Sequence, residues 1–304
     1  MDMASPKKVA LLACGSYNPV TNMHLRMFEI ARDALNKTGK YQVISGMISP
    51  VSDNYKKKGL ASVKHRCEML KAALKTSDWI KMDVWECMQT SWTRTAQVLR
   101  HHKQQLETQY NSIHRPSPSK RRKKRHNSVS DIPENQVPHV EVDGNHVPQV
   151  KLLCGGDLLE SFAVPGLWKN EDIEYIVGTH GLVVISRYGS DPLKFIYESD
   201  ILSRLKENIF IVTEWIYNDI SSTKIRRALY RDESVKYLVQ DSVIEYIHEH
   251  QLYGTSKNGS DNKDINNLNS TSDQQVISCL EEESSVYHGQ RRNKIDISRK
   301  NSKS

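Results

Sequence analysis

The 304-residue chain lacks any long hydrophobic run. Its longest apolar stretch near the N-terminus, Val9 to Cys14, falls far short of the roughly 18 to 20 residues that cross a bilayer. Only a short Ser-Pro-Lys-Lys leader precedes it and a polar turn follows, so it does not have the shape of a secretory signal. The expectation is a soluble intracellular protein with no membrane partner. Paired cysteines are missing too. Cys14, Cys67, Cys87, Cys154 and Cys279 are odd in number and widely spaced, with no CxxC pair for zinc or redox chemistry. Reduced thiols fit this pattern, and Cys14 and Cys154, each ending an apolar run, read as small core residues.

Broadly distributed positive charge is also absent. The formal net charge is +7, but six of those charges form the single run Lys120 to Arg125, and without it the balance is +1. Such a distribution gives no basic face for nucleic acid. No GxGxxG follows the first apolar run and no GxxxxGK[ST] occurs anywhere, which removes the dinucleotide fingerprint of dehydrogenases and the P-loop. No Ser-His-Asp arrangement, catalytic carboxylate pair or acidic metal cage is evident.

What is present is an alternation of short β-rich runs with helical periodicity, the pattern of βαβ units. Val9 to Ala13 reads as a strand buried on both faces. Met27, Ile30, Ala31, Ala34 and Leu35 then form one apolar helical stripe, with Gly39 just past its end as a C-cap. A strand over Gln42 to Ile48, a loop from Ser49 to Gly59, a helix from about Ser62 to Lys75 and a strand over Trp79 to Asp83 follow. A further helix starts at about Trp92 and runs to His101-His102. Order resumes in strands at Val150 to Cys154, Gly181 to Ser186 and Asn208 to Thr213, and in helices at Ser222 to Tyr230 and Asp241 to His248. The expected architecture is α/β: a Rossmann-like, doubly wound parallel sheet in one domain over 8–254, with ligands at the carboxyl ends of its strands. Ser, Pro, Asn, His and charge dominate about 108–149, which reads as a disordered insertion, and 255–304 reads as a disordered tail.

Two segments have the chemistry of phosphate sites. The first apolar strand runs into Gly15-Ser16-Tyr17-Asn18-Pro19-Val20-Thr21-Asn22-Met23-His24 and then a helix, a geometry that points backbone N–H groups at an anion. Gly15 permits close approach, Thr21 or Asn22 can cap the helix, and His24 falls in its first turn. A capping loop with a surface histidine is the plainer alternative. The second segment, Asp219-Ile220-Ser221-Ser222-Thr223-Lys224-Ile225-Arg226, places hydroxyls at a helix start and two cations in its first turns. Cations there oppose the helix dipole unless an anion sits between. An ordinary Ser/Thr cap with solvated charges is the competing reading.

The first segment resembles the G-x-F-x-P-x-[HT]-x-G-H motif of the nucleotidyltransferase superfamily. Tyr17 stands for the usual Phe, Thr21 for the first His and Met23 for the Gly. The string from Leu11 to His24 is similar to that of the nicotinamide mononucleotide adenylyltransferases, their nuclear animal members in particular. The second segment resembles the ISSTxIR signature of the same family. Trp85-Glu86, Trp92-Thr93-Arg94-Thr95, and the stretch from Leu152 through Gly155, Gly156 and Asp157 to Trp168 are likewise similar to the corresponding stretches of the family.

The resemblance covers about Val9 to His102 and Val150 to Tyr253. It implies transfer of the AMP moiety of ATP to nicotinamide or nicotinate mononucleotide, giving the dinucleotide and pyrophosphate. It assigns ATP to Gly15, Ser16, His24, Lys58, Thr223, Lys224, Ile225 and Arg226, with His24, Lys58 and Arg226 acting in the reaction. It assigns the mononucleotide to Gly15, Ser16, Tyr55, Lys57, Trp92, Thr95, Gly155, Asp157, Leu167, Trp168, Arg187 and Asn218. Trp92 and Trp168 would flank the pyridine ring. Mg²⁺ is expected with ATP and not in a protein cage. An assembly of several subunits is implied as well. Lys120 to Arg125 reads as a nuclear import signal that engages the import machinery, placing the protein in the nucleus. The rival readings are a nuclear nucleic-acid-binding protein and a chaperone-like interaction protein on the same scaffold.

Overall fold

The computed structural model describes residues 5–114, 147–186, 191–216 and 218–255. The basic run 120–125, the segment from 256 onward, Cys279 and Arg187 lie outside the described residues. The contacts divide the chain into two compact units, a division that hydrophobic periodicity does not announce. The first takes the described residues within Met1–Gly15, His24–Ser52 and Leu74–Asp219. The second takes Ser16–Met23, Asp53–Ala73 and the described residues from Ile220.

The first unit holds a six-stranded sheet of β1 (Lys7–Gly15), β2 (Tyr41–Pro50), β3 (Ile80–Met82), β4 (Gln149–Gly155), β5 (Leu182–Ser186) and β6 (Ile209–Thr213). All pairings are parallel and the order is β3-β2-β1-β4-β5-β6. This is the doubly wound arrangement expected, and it reverses direction between β1 and β4. Val9, Leu11 and Leu12 are fully buried, as a central parallel strand covered on both faces requires.

Neighbouring residues of β2 show the two faces. Met47 joins one apolar cluster with Ala10 and Leu12 of β1, Leu152 of β4 and Val98 and Leu99 of α3 (Thr95–His114). Gly46 faces the other way, against Phe28 of α1 (Asn22–Lys37), and a Cβ built on it would meet the Phe28 ring at 2.7 Å. Any side chain at position 46 would force helix and sheet apart. Phe28, Ala31 and Leu35 of α1 are buried, and a large apolar side chain so placed contributes about 1.5–3 kcal/mol. Short helices α4 (Gly156–Ser161), α5 (Asn170–Tyr175), α6 (Pro192–Tyr197) and α7 (Asp200–Arg204) complete this unit.

The second unit contains most of α2 (Val63–Leu74), together with α8 (Ser222–Tyr230) and α9 (Asp241–Glu249). Ser242 of α9 donates to the carbonyl of Ala72 at 3.2 Å, and the Tyr246 hydroxyl meets His65 Nδ1 at 3.0 Å. Asn22 donates through its backbone to Leu238 and through Nδ2 to Tyr237.

Two boundaries differ from expectation. Trp92 precedes α3, which starts at Thr95 and continues to His114, so the start of the expected insertion is helical. Leu106 is buried in the core, and the Gln and Glu residues that follow favour helix, although their polarity resembles that of a loop. β2 continues through Ser49 and Pro50, which were expected in the loop. Of the expected one-domain boundaries, 8 and 254 fall within described residues, whereas the tail beyond 255 does not.

Candidate active site

In the first unit the topology dictates where ligands go. The β1–β4 ladder is last paired at Leu12 and Leu152, yet each strand runs three residues further, to Gly15 and Gly155. The strands part at the point where strand order reverses, the place where open parallel sheets bind nucleotides. A Cβ at Gly155 would meet nothing within 4 Å, so this strand end borders open space. Asp157 follows, exposed in the first turn of α4. His24 is half-buried in the first turn of α1.

Buried polar groups line the same strand ends. Ser49 at the end of β2 donates to the buried carboxylate of Glu86, and Asp83 lies 3.7 Å from the buried His102 ring. Trp85 stacks on His101 at 3.9 Å between centroids. Burial, reinforced by Glu86, holds the Cys14 thiol well above its ordinary pKa, and burial pushes Cys154 up to about 12. Neither is a thiolate nucleophile at neutral pH.

The aromatic residues expected around the base are placed differently from one another. Trp168 is half-buried, edge-on to Phe162 at 4.9 Å, with its Nε1–H donated to Ser161 Oγ at 3.0 Å. Trp92 is 49% exposed and Leu167 57% exposed. Among the described residues the Trp92 and Trp168 rings make no contact with each other. Thr95 opens α3, and Asn218 is half-buried in the segment after β6. Arg187 falls outside the described residues.

The second unit joins the two phosphate segments directly. Ser221 caps α8, its hydroxyl accepting from the Lys224 N–H. Ser222 donates to the carbonyl of Pro19 at 2.8 Å, and Arg226 donates from Nη1 to the carbonyl of Asn18 at 2.8 Å. Arg226 Nη2 also reaches Thr223 Oγ1 at 3.4 Å. Arg226 is buried, which overturns the alternative of a solvated surface charge for this residue. Ile225 beside it is core, while Lys224 is exposed. Tyr55, the last residue of a short 3₁₀ helix, Asp53–Tyr55, is exposed, as are Lys57 and Lys58 on the turn after it, which the Leu60 N–H closes on the Lys57 carbonyl.

A model of the cytidylyltransferase-like family matches residues 12–228, more than two thirds of the chain. Nicotinamide/nicotinic acid mononucleotide adenylyltransferase 1 of Bos taurus is 53% identical over 260 residues, covering 84% of this chain and 92% of that one. The chain belongs to the nicotinamide/nicotinic acid mononucleotide adenylyltransferases.

Other members of the family agree. The nicotinamide-nucleotide adenylyltransferase of Drosophila melanogaster is 47% identical over 251 residues, covering 81% of this chain and 61% of its own length. The Plasmodium falciparum nicotinic acid mononucleotide adenylyltransferase, solved in complexes with APC and with NaAD, aligns with a TM-score of 0.51 over 83% of this chain and all of that one. At 14% and 15% identity those structures show a common fold.

Sequence reasoning missed two groups that shape the loop after β1 in this adenylyltransferase. Arg66, fully buried in α2, donates from Nε to Ala61 O at 2.9 Å and from Nη1 to Ser16 O at 3.0 Å. Its Nη2 pairs with Asp53 at 3.1 Å. Asn18 is 2% exposed and bonded on both sides of its amide. An arginine on a mixed helix reads as solvated charge, and nothing in its spacing signals three carbonyl or carboxylate partners.

Proposed function

We propose that this chain transfers the AMP moiety of ATP to nicotinamide mononucleotide or nicotinate mononucleotide, forming NAD or its deamido form and releasing pyrophosphate. The observation that carries the reading is the bonding of Ser222 and Arg226 to the carbonyls of Pro19 and Asn18, which makes the two phosphate segments one structure. Family membership supplies the substrates.

The 5′-phosphate of the mononucleotide is a competent nucleophile at neutral pH. It attacks the α-phosphorus as the bond to the pyrophosphate oxygen breaks, so no protein nucleophile or general base is required. Catalysis comes from alignment and from donors aimed at the transferring group. In this reading His24 donates to an α-phosphate oxygen, while Ser16, Lys58, Thr223, Lys224, Ile225 and Arg226 hold the triphosphate through side chains and helix N–H groups. Gly15, Tyr55, Lys57, Gly155, Asp157, Arg187 and Asn218 are the residues this reading gives to the mononucleotide. Trp92 and Trp168, with Thr95 and Leu167, take its pyridine ring.

Among the described residues no three His, Cys, Asp or Glu gather as a cage for a cation. Mg²⁺ enters this reading as the counterion of ATP. Lys120 to Arg125 would direct the protein to the nucleus through the import machinery, and the working form would be a homo-oligomer. Loss of nuclear enrichment when 120–125 are deleted from a fluorescent fusion supports that address, and unchanged enrichment refutes it. For the activity itself, purified chain is incubated with ATP, Mg²⁺ and each mononucleotide in turn. Equal release of dinucleotide and pyrophosphate is expected; pyrophosphate release that ignores the mononucleotide would overturn the reading.

A further inference from the structure

The turn that follows α9 reaches back into the phosphate loop. Gln251 and Tyr253 both adopt left-handed backbone, at φ 53° and 59°. For residues other than glycine that conformation persists only where surrounding contacts impose it. Here they do. Thr255 Oγ1 donates to the carbonyls of Leu252 and Ile247, and the Thr255 N–H donates to Leu252 as well. Gly254, at φ 83°, lies so close to Tyr230 that a Cβ would meet its ring at 2.9 Å. The Tyr253 hydroxyl is thereby delivered to Asn18 Oδ1 at 2.8 Å.

The Asn18 amide is also bonded to the turn that carries Lys57 and Lys58. Its Nδ2 donates to Gly59 O at 2.9 Å, and its Oδ1 accepts the Ala61 N–H at 3.1 Å. Because the Asn18 amide meets the carbonyl of Gly59 on one side and the N–H of Ala61 on the other, it has a single satisfactory orientation, and Tyr253 must be the donor. Burial keeps the phenol protonated for that role, outweighing the opposing influence of Arg226 and Arg66. The backbone carbonyl of the same asparagine accepts from Arg226. One amide therefore links the loop after β1, the lysine turn, the ISSTxIR arginine and the last turn of the described chain.

We infer that Tyr253 is a positioning residue for adenylyl transfer, fixing the Asn18 amide and through it the relative placement of Ser16, Lys58 and Arg226. Nothing in its own position brings it to substrate; it acts through Asn18. The inference rests on the adenylyltransferase reading above.

The test compares full-length wild type, Tyr253→Phe and Tyr246→Phe by steady-state kinetics and thermal melting. Tyr246 makes a comparable phenolic hydrogen bond, to His65 and not to Asn18, in the same unit, and so reports the cost of losing one phenol alone. Tyr253→Phe is expected to lower kcat/KM for ATP about tenfold through both kcat and KM, since small misplacement of reacting groups is costly. Tyr246→Phe should keep wild-type kinetics. If Tyr253→Phe matches wild type in both ATP parameters, or if Tyr246→Phe loses as much, the inference fails while the function stands. Wild type that makes no dinucleotide overturns both. Should Tyr253→Phe melt early, its rates at a temperature where it is folded decide: a wild-type ATP kcat/KM there defeats the inference.

Discussion

Arg66 places its guanidinium, wholly buried, 3.0 Å from the carbonyl oxygen of Ser16. The carbonyl is thereby turned toward α2, which constrains the peptide units on either side of the residue expected to meet the nucleotide phosphates. The same side chain holds Ala61 and Asp53, and Asp53 Oδ2 accepts the first N–H of α2 from Val63. A cation buried among carbonyls is costly unless its donors are used, and here all three guanidinium nitrogens reach an acceptor.

Replacing Arg66 with Met removes those bonds and leaves buried carbonyls unpaired. A loss of about 3 kcal/mol or more is expected. Urea unfolding of the two proteins measures it, and a difference below about 1 kcal/mol would show that water satisfies the same carbonyls.

Much of the fold was legible because its strands are simple. Val9 to Ala13 is apolar on both faces, as central parallel strands must be, Val150 to Cys154 is apolar except for the buried Lys151, and Gly39 sits at φ 68° just past α1. The start and composition of α8 agree with the hydroxyl-cation pattern of its sequence. What escaped was whatever depends on long-range partners. The polar end of α3 looks like linker until Leu106 is seen in the core. Arg66, Asn18 and Tyr253 lie far apart in sequence and look ordinary until folding brings their donors and acceptors together. Motif spacing carries the chemistry of the phosphate segments, but it carries no trace of the network behind them.

His24→Ala should lower kcat by at least about 10²-fold, the usual cost of one donor to the developing charge. The side chain is half-buried at a helix start, so the fold should persist. Circular dichroism beside turnover measurements checks both halves of this expectation, and near-normal turnover would remove His24 from the mechanism.

Trp92→Ala should separate the two substrates. Half of this residue is exposed, so stability should change by less than about 1 kcal/mol. Loss of an aromatic face on the pyridine ring should raise the mononucleotide KM about tenfold and leave the ATP KM unchanged. Equal effects on both KM values would place the indole elsewhere.

The His180 ring is buried between sheet and helix, its Nδ1 3.1 Å from the carbonyl of Val150. Burial pushes its pKa down to about 4 from 6.5, aided by Lys103, Lys151 and Arg100 and opposed by the Val150 carbonyl. The unfolded chain binds the proton and the folded chain does not, so this contribution to stability is complete above pH 6.5 and is lost as pH falls toward 4. The loss is about 2–4 kcal/mol over that window. His180→Asn keeps a donor for Val150 without a titrating group, and its melting temperature should fall less steeply than wild type between pH 7 and pH 4.5; parallel slopes would contradict the assignment.

Following phosphorus through the reaction tests adenylyl transfer itself. The full chain is supplied with mononucleotide, Mg²⁺ and ATP labelled at the α-phosphate in one reaction and at the γ-phosphate in another. The α label should appear in the dinucleotide and the γ label in pyrophosphate, in equal amounts and only when mononucleotide is present. Label in ADP or free phosphate, or an unlabelled dinucleotide fraction, would contradict attack at the α-phosphorus and with it the role given to His24.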